Sequence, residues 1–242
     1  YFSSHTRIYG AFRPLYPPAL YEFILSHVRE RECLWDCGTG NGQVAGQLAA
    51  HFERVYATDI SSQQLADAIR KPNITYAVCP AEHTTFSDAQ FDLITVGQAL
   101  HWFNLPEFYR EAQRTSKPHG IVAAWGYGLL EVGGPLQDLF LSFYYDKVGG
   151  FWDYARKLVE GKYEDIPFPF TAIPAPDFAI LVDWNRDQFS GYLTSWSATQ
   201  KFIQAKGYNP VEEFMADVRP LWRDNEVKSI SFPVFLKIGR LH

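Results

Sequence analysis

The chain has 242 residues, of which 47% are hydrophobic and 20% charged, a balance typical of a soluble globular protein with a full core. A net charge of -5 and a pI near 5.8 leave no basic stripe, so nucleic acid is not an expected partner. The longest apolar run, residues 121–130, is too short to span a bilayer, so no membrane association is expected. Three cysteines, of which Cys33 and Cys37 are too far apart on one strand to bridge, indicate a reducing, cytoplasmic compartment. No cysteine or histidine spacing predicts a metal site.

The first half of the chain predicts alternating helices and strands, beginning with a helix over residues 17–29 that has prolines in its first turn. Predicted strands cover residues 32–36, 54–58, 74–78, 91–96 and 121–125. Helices are expected after the first two strands and over residues 105–117, the last capped by Asn104. This alternation predicts an α/β, Rossmann-like, doubly wound sheet that is mostly parallel and binds ligands at the carboxyl ends of its strands.

Beyond residue 126 the regular alternation stops. Residues 127–176 mix predicted helices, 134–148 and 152–161, with a proline-rich break and are interpreted as a helical insertion or lid at the substrate site. A strand over 178–182, helices near 187–204 and 211–222, and an antiparallel last strand over 229–239 return the chain to the sheet. We therefore expect a single domain, 1–242, with 127–176 as its insertion.

The stretch Cys-Leu-Trp-Asp-Cys-Gly-Thr-Gly-Asn-Gly-Gln, residues 33–43, places an acidic side chain and three glycines directly behind an apolar strand. A dinucleotide-binding loop has the spacing G-x-G-x-x-G, whereas here the third glycine is one place early and Gln43 holds its position. Asp36 would repel a pyrophosphate and attract a cation. The loop therefore favours a positively charged, phosphate-free cofactor, and S-adenosylmethionine has that character.

Asp59 ends the second predicted strand 17 residues after Gly42. An acidic side chain at this place in a nucleotide-binding sheet accepts hydrogen bonds from both ribose hydroxyls. Ile60 beside it is suited to cover one face of an adenine. The alternative for Asp59 is a structural acid in the turn before a helix.

Over about residues 7–126 the chain resembles the S-adenosylmethionine-dependent class I methyltransferases. Within that class it is similar to the small-molecule group that contains trans-aconitate methyltransferase-like and ubiquinone-biosynthesis-like enzymes. The segments that carry the resemblance are Phe12-Arg13-Pro14 with Tyr16-Pro17, the loop 36–42, residues 55–60, Pro80-Ala81-Glu82, 91–103 and 110–120.

The resemblance implies a role for each part of a cofactor site. It implies that the loop with Asp36, Gly38 and Gly40 holds the methionine end and that Asp59 holds the ribose. It further implies that Ala81 and Glu82 bind the adenine and that Gln98 forms the floor near the sulfur. The chain departs from the family pattern at Pro80, where an acidic residue is common, and at His119, where a glycine is usual.

Methyl transfer from a sulfonium is an in-line displacement, which needs a general base only if the acceptor must lose a proton. His101, after the fourth strand, is interpreted as that base or as a hydrogen-bond donor; the alternative is a packing role beside Trp102 and Phe103. The acceptor site is expected to be lined by Tyr9, Arg13, Trp102, Trp125 and Tyr127. Arg13 either pairs with an acceptor carboxylate or holds the first helix.

The leading hypothesis is a methyltransferase, monomeric or homodimeric, that methylates an oxygen of a small molecule, with a carboxylate as one candidate group. Carbon and nitrogen acceptors are less favoured. One alternative is a nicotinamide-dependent Rossmann oxidoreductase, which Asp36 and Gln43 disfavour. The other is a relative that binds S-adenosylmethionine without catalysis.

Overall fold

The computed structural model describes residues 14–241, and within them eight strands form one mixed sheet. Seven follow in the order β3-β2-β1-β4-β5-β8-β6, and β7 pairs with β8. The strands are β1 Cys33–Cys37, β2 Arg54–Asp59, β3 Ile74–Val78, β4 Phe91–Gly97, β5 Ser116–Tyr127, β6 Thr171–Ala172, β7 Phe178–Trp184 and β8 Lys228–Arg240.

The central strands are parallel, and the last strand runs against them. β3, β2, β1, β4 and β5 pair in parallel, whereas β8 pairs with β5 antiparallel. Every residue of β1 is buried and so are six of the seven in β4, as expected for parallel strands covered by helices on both faces. The predicted fold class is therefore confirmed, including the antiparallel last strand.

The helices are α1 Pro18–Ser26, α2 Gln43–Leu48, α3 Ser62–Ala66, α4 Leu105–Thr115, α5 Gly134–Ser142, α6 Arg156–Glu160, α7 Arg186–Thr194, α8 Ser197–Lys206 and α9 Pro210–Val218. A π-helix, Phe143–Lys147, directly follows α5. No helix among residues 14–241 combines the length and apolar character needed to cross a bilayer.

The described residues fall into two compact units. The sheet unit contains residues 16–128, 157–178 and 234–241, and the helical unit contains 129–156 and 179–233. The segment predicted as one insertion, 127–176, is thus shared between the two units.

Each unit has an aromatic core of its own. In the sheet unit the fully buried Trp35 packs against Phe91, with ring centroids 5.7 Å apart, and against Phe108 at 6.3 Å. In the helical unit Trp196 packs edge-on against Phe140 and Tyr144, at 5.9 and 5.6 Å. Burial of such large side chains contributes strongly to the stability of each unit.

Several element boundaries differ from the sequence prediction. The helix expected over 187–204 is two helices, because Trp196 between them is extended, with a ψ of 140°. The Ser195 hydroxyl donates to the carbonyl of Tyr192 at the end of the first helix. The helix expected to reach residue 222 ends at Val218, two residues before Pro220, which has no N–H to donate to a helix carbonyl and whose ring would clash with the carbonyl four residues earlier. Asn104 lies before α4 but its side chain forms no capping bond, so that part of the prediction was wrong.

Candidate active site

The glycine loop lies between β1 and α2, and its three glycines have different surroundings. All have positive φ, at 66° for Gly38, 57° for Gly40 and 78° for Gly42. A side chain at Gly38 would place its Cβ 2.7 Å from that of Ala99, and one at Gly42 would collide with the Tyr76 hydroxyl. Within the described part of the chain, the nearest atom to a Cβ at Gly40 would be Gln64 Oε1, 4.0 Å away. Packing therefore requires two of the glycines, whereas Gly40 faces open space that a ligand can enter.

Asp36 lies beneath this loop and is 1% exposed. Its Oδ2 accepts hydrogen bonds from the Thr39 hydroxyl at 2.5 Å and the Ala45 N–H at 3.1 Å, and its Oδ1 accepts one from the Thr95 hydroxyl at 2.8 Å. Burial raises the pKa of Asp36 to about 6, against the opposing effect of these hydrogen bonds. The carboxylate thus anchors the loop, and its charge acts on a ligand through space.

Asp59 lies at the end of β2 and is joined directly to the same loop. Its Oδ2 accepts from the Gly40 N–H at 2.9 Å and its Oδ1 from the Ser61 N–H at 2.8 Å. The next residue, Ile60, is 76% exposed, which is unusual for a large apolar side chain and fits a surface that a ligand covers. The structure therefore brings Gly40, predicted to hold the methionine end, next to Asp59 and Ile60, predicted to hold the ribose and the adenine.

Ala81 and Glu82 follow β3 in the chain. Ala81 is buried, and Glu82 accepts a hydrogen bond from the Asn104 N–H at 2.9 Å, before the start of α4. Burial raises the pKa of the Cys37 thiol well above its usual range, and Asp36, Glu82 and Asp59 raise it further. Three carboxylates therefore lie within electrostatic reach of the carboxyl end of β1, which makes this end of the sheet negative.

Gln98 connects the carboxyl ends of β4 and β5. Its N–H donates to the Trp125 carbonyl at 2.8 Å, while its side-chain Oε1 accepts from the Tyr127 N–H at 3.1 Å. A Cβ on Gly126 would collide with Gln98 Oε1, so the amide fits closely against β5. Gln98 therefore lies at the carboxyl edge of the sheet, and its role as the floor near the sulfur stays a prediction.

His101 lies in a short 3-10 turn, Leu100–Trp102, just beyond β4. Its Nδ1 is 2.7 Å from the hydroxyl oxygen of Tyr163, and its ring lies 4.9 Å from that of Trp102. The predicted packing contact with Trp102 is present, but the hydrogen bond adds a polar partner that the sequence did not indicate.

The aromatic residues expected to line the acceptor site differ in exposure. Trp102 is 61% exposed, whereas Trp125 and Tyr127 are buried. The rings of Tyr16 and Tyr21 pack edge-on against Trp125, with centroids 5.6 and 6.3 Å away. Trp125 Nε1 is buried and has no hydrogen-bond partner among residues 14–241, so it is a donor that a ligand or water oxygen would satisfy.

Two predicted site residues, Tyr9 and Arg13, lie outside the described residues, so their roles stay predictions.

Pro80 and His119, the two departures from the family pattern, lie within the described residues. His119 takes a left-handed φ of 65°, a conformation in which glycine is favoured, so its side chain is carried at some conformational cost. Among residues 14–241 no group of three or more metal-ligating side chains is present.

Sequence reasoning missed Thr95 and Tyr163. Thr95 is a fully buried hydroxyl between the apolar Ile94 and Val96 of β4, and a polar residue at such a place was a usable signal for the Asp36 anchor. Tyr163 carries no such signal, because its role depends on a contact with His101, 62 residues away.

The fold and the site define a methyltransferase of class I, the S-adenosylmethionine-dependent type. The defining features are the parallel sheet, the glycine loop after β1 and Asp59 at the end of β2. A family profile described as a methyltransferase domain matches residues 35–124. A protein of Dictyostelium discoideum named as a methyltransferase is 31% identical over 247 residues, covering 99% of this chain and 94% of its own length. The chain belongs to the methyltransferase domain family.

Solved structures agree with this assignment. A protein from Anaeromyxobacter dehalogenans, described as a type II methyltransferase, superimposes with a TM-score of 0.88 at 36% identity and covers 95% of this chain and 98% of its own. A Bacillus halodurans protein described as a methyltransferase has a TM-score of 0.53 at 20% identity, over 92% of this chain and 98% of its own, and shows the fold alone.

Proposed function

We propose that this protein transfers a methyl group from S-adenosylmethionine to an oxygen of a small-molecule acceptor. The observation that carries the cofactor assignment is the buried Asp36, with Asp59 and Glu82 also within electrostatic reach of the end of β1. The sulfonium and ammonium groups of the cofactor are positively charged, so this negative environment favours them. A pyrophosphate would meet like charge at the same place.

The residues present fit this cofactor. Gly40 leaves space for the methionine end, Asp59 retains lone pairs for the ribose hydroxyls, and the exposed Ile60 covers one adenine face. Ala81 and Glu82 complete the adenine side and Gln98 the floor near the sulfur. When bound, S-adenosylmethionine supplies an activated methyl group, so the protein's main tasks are alignment and exclusion of water.

A carboxylate is the favoured acceptor group, and Arg13 is the side chain that the sequence predicts to pair with it. A guanidinium forms two parallel hydrogen bonds with a carboxylate, which makes it suited to such an acceptor. Arg13 lies outside the described residues, so this role is argued from the sequence alone.

Incubation with methyl-labelled S-adenosylmethionine and a pool of small carboxylic acids tests both parts of the proposal. We expect labelled methyl esters, and with the acid so identified we expect Arg13→Gln to raise KM about 10-fold to 100-fold, because a charge-assisted pair is lost. Arg186→Gln is the control, since Arg186 already pairs with Asp224. Labelled ethers or amines instead of esters would contradict the carboxylate assignment.

Further expectations from the sequence complete the proposal. The chain is a single methyltransferase domain, 1–242, in which 127–176 governs acceptor choice. It acts in the cytoplasm as a monomer or homodimer, with a small molecule and no nucleic acid as its partner.

A further inference from the structure

Trp125 and Tyr21 lie against each other in the sheet unit. Trp125 belongs to β5 and is fully buried, while Tyr21 belongs to α1 and is buried almost as completely. Their rings are perpendicular, with centroids 6.3 Å apart. Each of these side chains carries a hydrogen-bond donor into the core, and such donors usually find a partner when they are buried.

The indole N–H of Trp125 is a buried donor that still needs an acceptor. Nε1 forms no hydrogen bond with any group of residues 14–241. Trp125 pairs with Gly97 at the end of β4, and a Cβ on Gly97 would lie 3.6 Å from Trp125 Cε2, the carbon that carries Nε1. The N–H edge of the indole therefore lies beside the carboxyl end of β4. A ligand oxygen at this place would remove the cost of the unpaired donor.

The hydroxyl of Tyr21 is a second donor near the same strand ends. Burial raises the pKa of this hydroxyl and the Asp36 carboxylate raises it further, so the hydroxyl stays protonated at neutral pH. Asp36 is within electrostatic reach, but its oxygens already accept hydrogen bonds from three other groups. Within the described part of the chain, no residue accepts a hydrogen bond from the Tyr21 hydroxyl.

The order of the strands places these donors next to the proposed cofactor site. The strands follow one another as β2, β1, β4 and β5. The ribose is proposed at Asp59 on β2 and the sulfur at Gln98 after β4, so the end of β5 is one strand further along the sheet. The acceptor must approach the methyl group in line with its bond to sulfur. Donors at the end of β5 are suited to hold the acceptor during this approach.

Two donors that lack a partner suit a ligand group that only accepts hydrogen bonds. An ionised carboxylate is such a group, whereas a hydroxyl must also find an acceptor for its own proton. We propose that Trp125 Nε1–H and Tyr21 O–H form a two-donor site for the carboxylate of the acceptor. This inference rests on the proposed function, which it deepens. A carboxylate is already ionised at neutral pH, so no proton has to be removed before methyl transfer.

Proton–nitrogen correlation NMR of the indole N–H groups in the full chain tests this site. Trp125→Phe identifies the Trp125 signal by its loss. Acetate is the probe, added to about 50 mM to the complex with S-adenosylhomocysteine, since a small carboxylate held by two hydrogen bonds binds weakly. We expect the Trp125 signal to move downfield. Trp35 is the internal control, because its Nε1–H already donates to the Thr58 hydroxyl at 2.8 Å in the same unit. An unmoved Trp125 signal would overturn the proposal.

Tyr21→Phe tests the second donor, and Tyr109→Phe is its matched control. We expect Tyr21→Phe to lower the initial slope of the Trp125 shift against acetate concentration about 10-fold, because one hydrogen bond to a charged group is lost. Tyr109 is also a buried tyrosine of the sheet unit, but its hydroxyl donates to the Pro167 carbonyl at 2.6 Å, so Tyr109→Phe should leave the slope unchanged. An unchanged slope in Tyr21→Phe would refute the two-donor site.

The cofactor carries a carboxylate of its own, and two further titrations distinguish it from the acceptor. S-adenosylhomocysteine contains this carboxylate, whereas methylthioadenosine lacks the amino-acid part. A downfield Trp125 shift with the first compound alone, which acetate then leaves unchanged, would assign the site to the cofactor and overturn the proposal. Absence of S-adenosylhomocysteine binding in calorimetry would count against the proposed function, whereas the acetate titration decides the role of Trp125 and Tyr21.

Discussion

Replacement of Asp59 by alanine is expected to raise the Kd for S-adenosylhomocysteine by at least about 100-fold. Two hydrogen bonds from ribose hydroxyls to a carboxylate contribute about 1.5–3 kcal/mol each, and about 1.4 kcal/mol corresponds to a factor of ten. Asp59 also accepts from the Gly40 N–H at 2.9 Å, so its loss disturbs the loop residue that faces open space. Isothermal titration calorimetry measures the change.

Asp67→Ala is the control, because Asp67 is exposed and follows α3 in the same part of the sequence. It removes one negative charge without touching the loop, and we expect its Kd to stay within about twofold of the unmodified value. Circular dichroism and thermal melting establish that Asp59→Ala remains folded. Unchanged affinity in folded Asp59→Ala would contradict the ribose assignment.

The second large effect is a pH dependence of stability that originates in Asp36. Burial raises the pKa of this carboxyl from its ordinary value of 3.8 to about 6 in the folded protein. Between these values the folded state holds a proton that the unfolded state has lost, so the contribution of Asp36 to stability is fully present below pH 3.8 and is lost as the pH rises through 6. The loss amounts to about 3 kcal/mol, since one pKa unit corresponds to about 1.4 kcal/mol.

Asp36→Asn removes this titration while keeping the size of the side chain, and Thr95 can reverse its hydroxyl to accept from the new amide. We expect the free energy of unfolding of the unmodified protein, minus that of Asp36→Asn, to fall by about 2 to 3 kcal/mol between pH 4 and pH 7. Urea titrations at several pH values provide the measurement. If the difference stays constant over this range, Asp36 is not a buried carboxyl with a raised pKa. For the control Asp67→Asn, whose side chain is exposed, the difference in free energy of unfolding from the unmodified protein should stay constant over the same pH range.

The sheet was predictable because its signals are local. β1 and β4 are apolar runs of the length expected for strands buried on both faces, and the glycine loop after β1 is separated from Asp59 by one predicted helix. The carboxyl ends of parallel strands meet at one edge, so Asp36, Asp59 and Gln98 were placed correctly by topology alone. The direct bond between Asp59 and the Gly40 N–H follows from the same geometry.

Other features depend on contacts between distant parts of the chain and had no local signal. The burial of Trp125 against Tyr16 and Tyr21 is one such case. From the sequence alone, an aromatic residue at a strand end can be either buried in the core or exposed in a pocket wall. The hydrogen bond between His101 and Tyr163 is another. Boundaries such as the break between α7 and α8 lie at a single extended residue, Trp196, which hydrophobic periodicity does not reveal.

The central claim is that the loop around Asp36 binds a cationic, phosphate-free cofactor. Isothermal titration calorimetry with three compounds tests it most directly. The unmodified protein is titrated separately with S-adenosylmethionine, S-adenosylhomocysteine and NAD. We predict micromolar Kd values, about -8 kcal/mol, for the first two and no measurable heat for NAD. Tight binding of NAD together with no binding of either S-adenosyl compound would contradict the assignment.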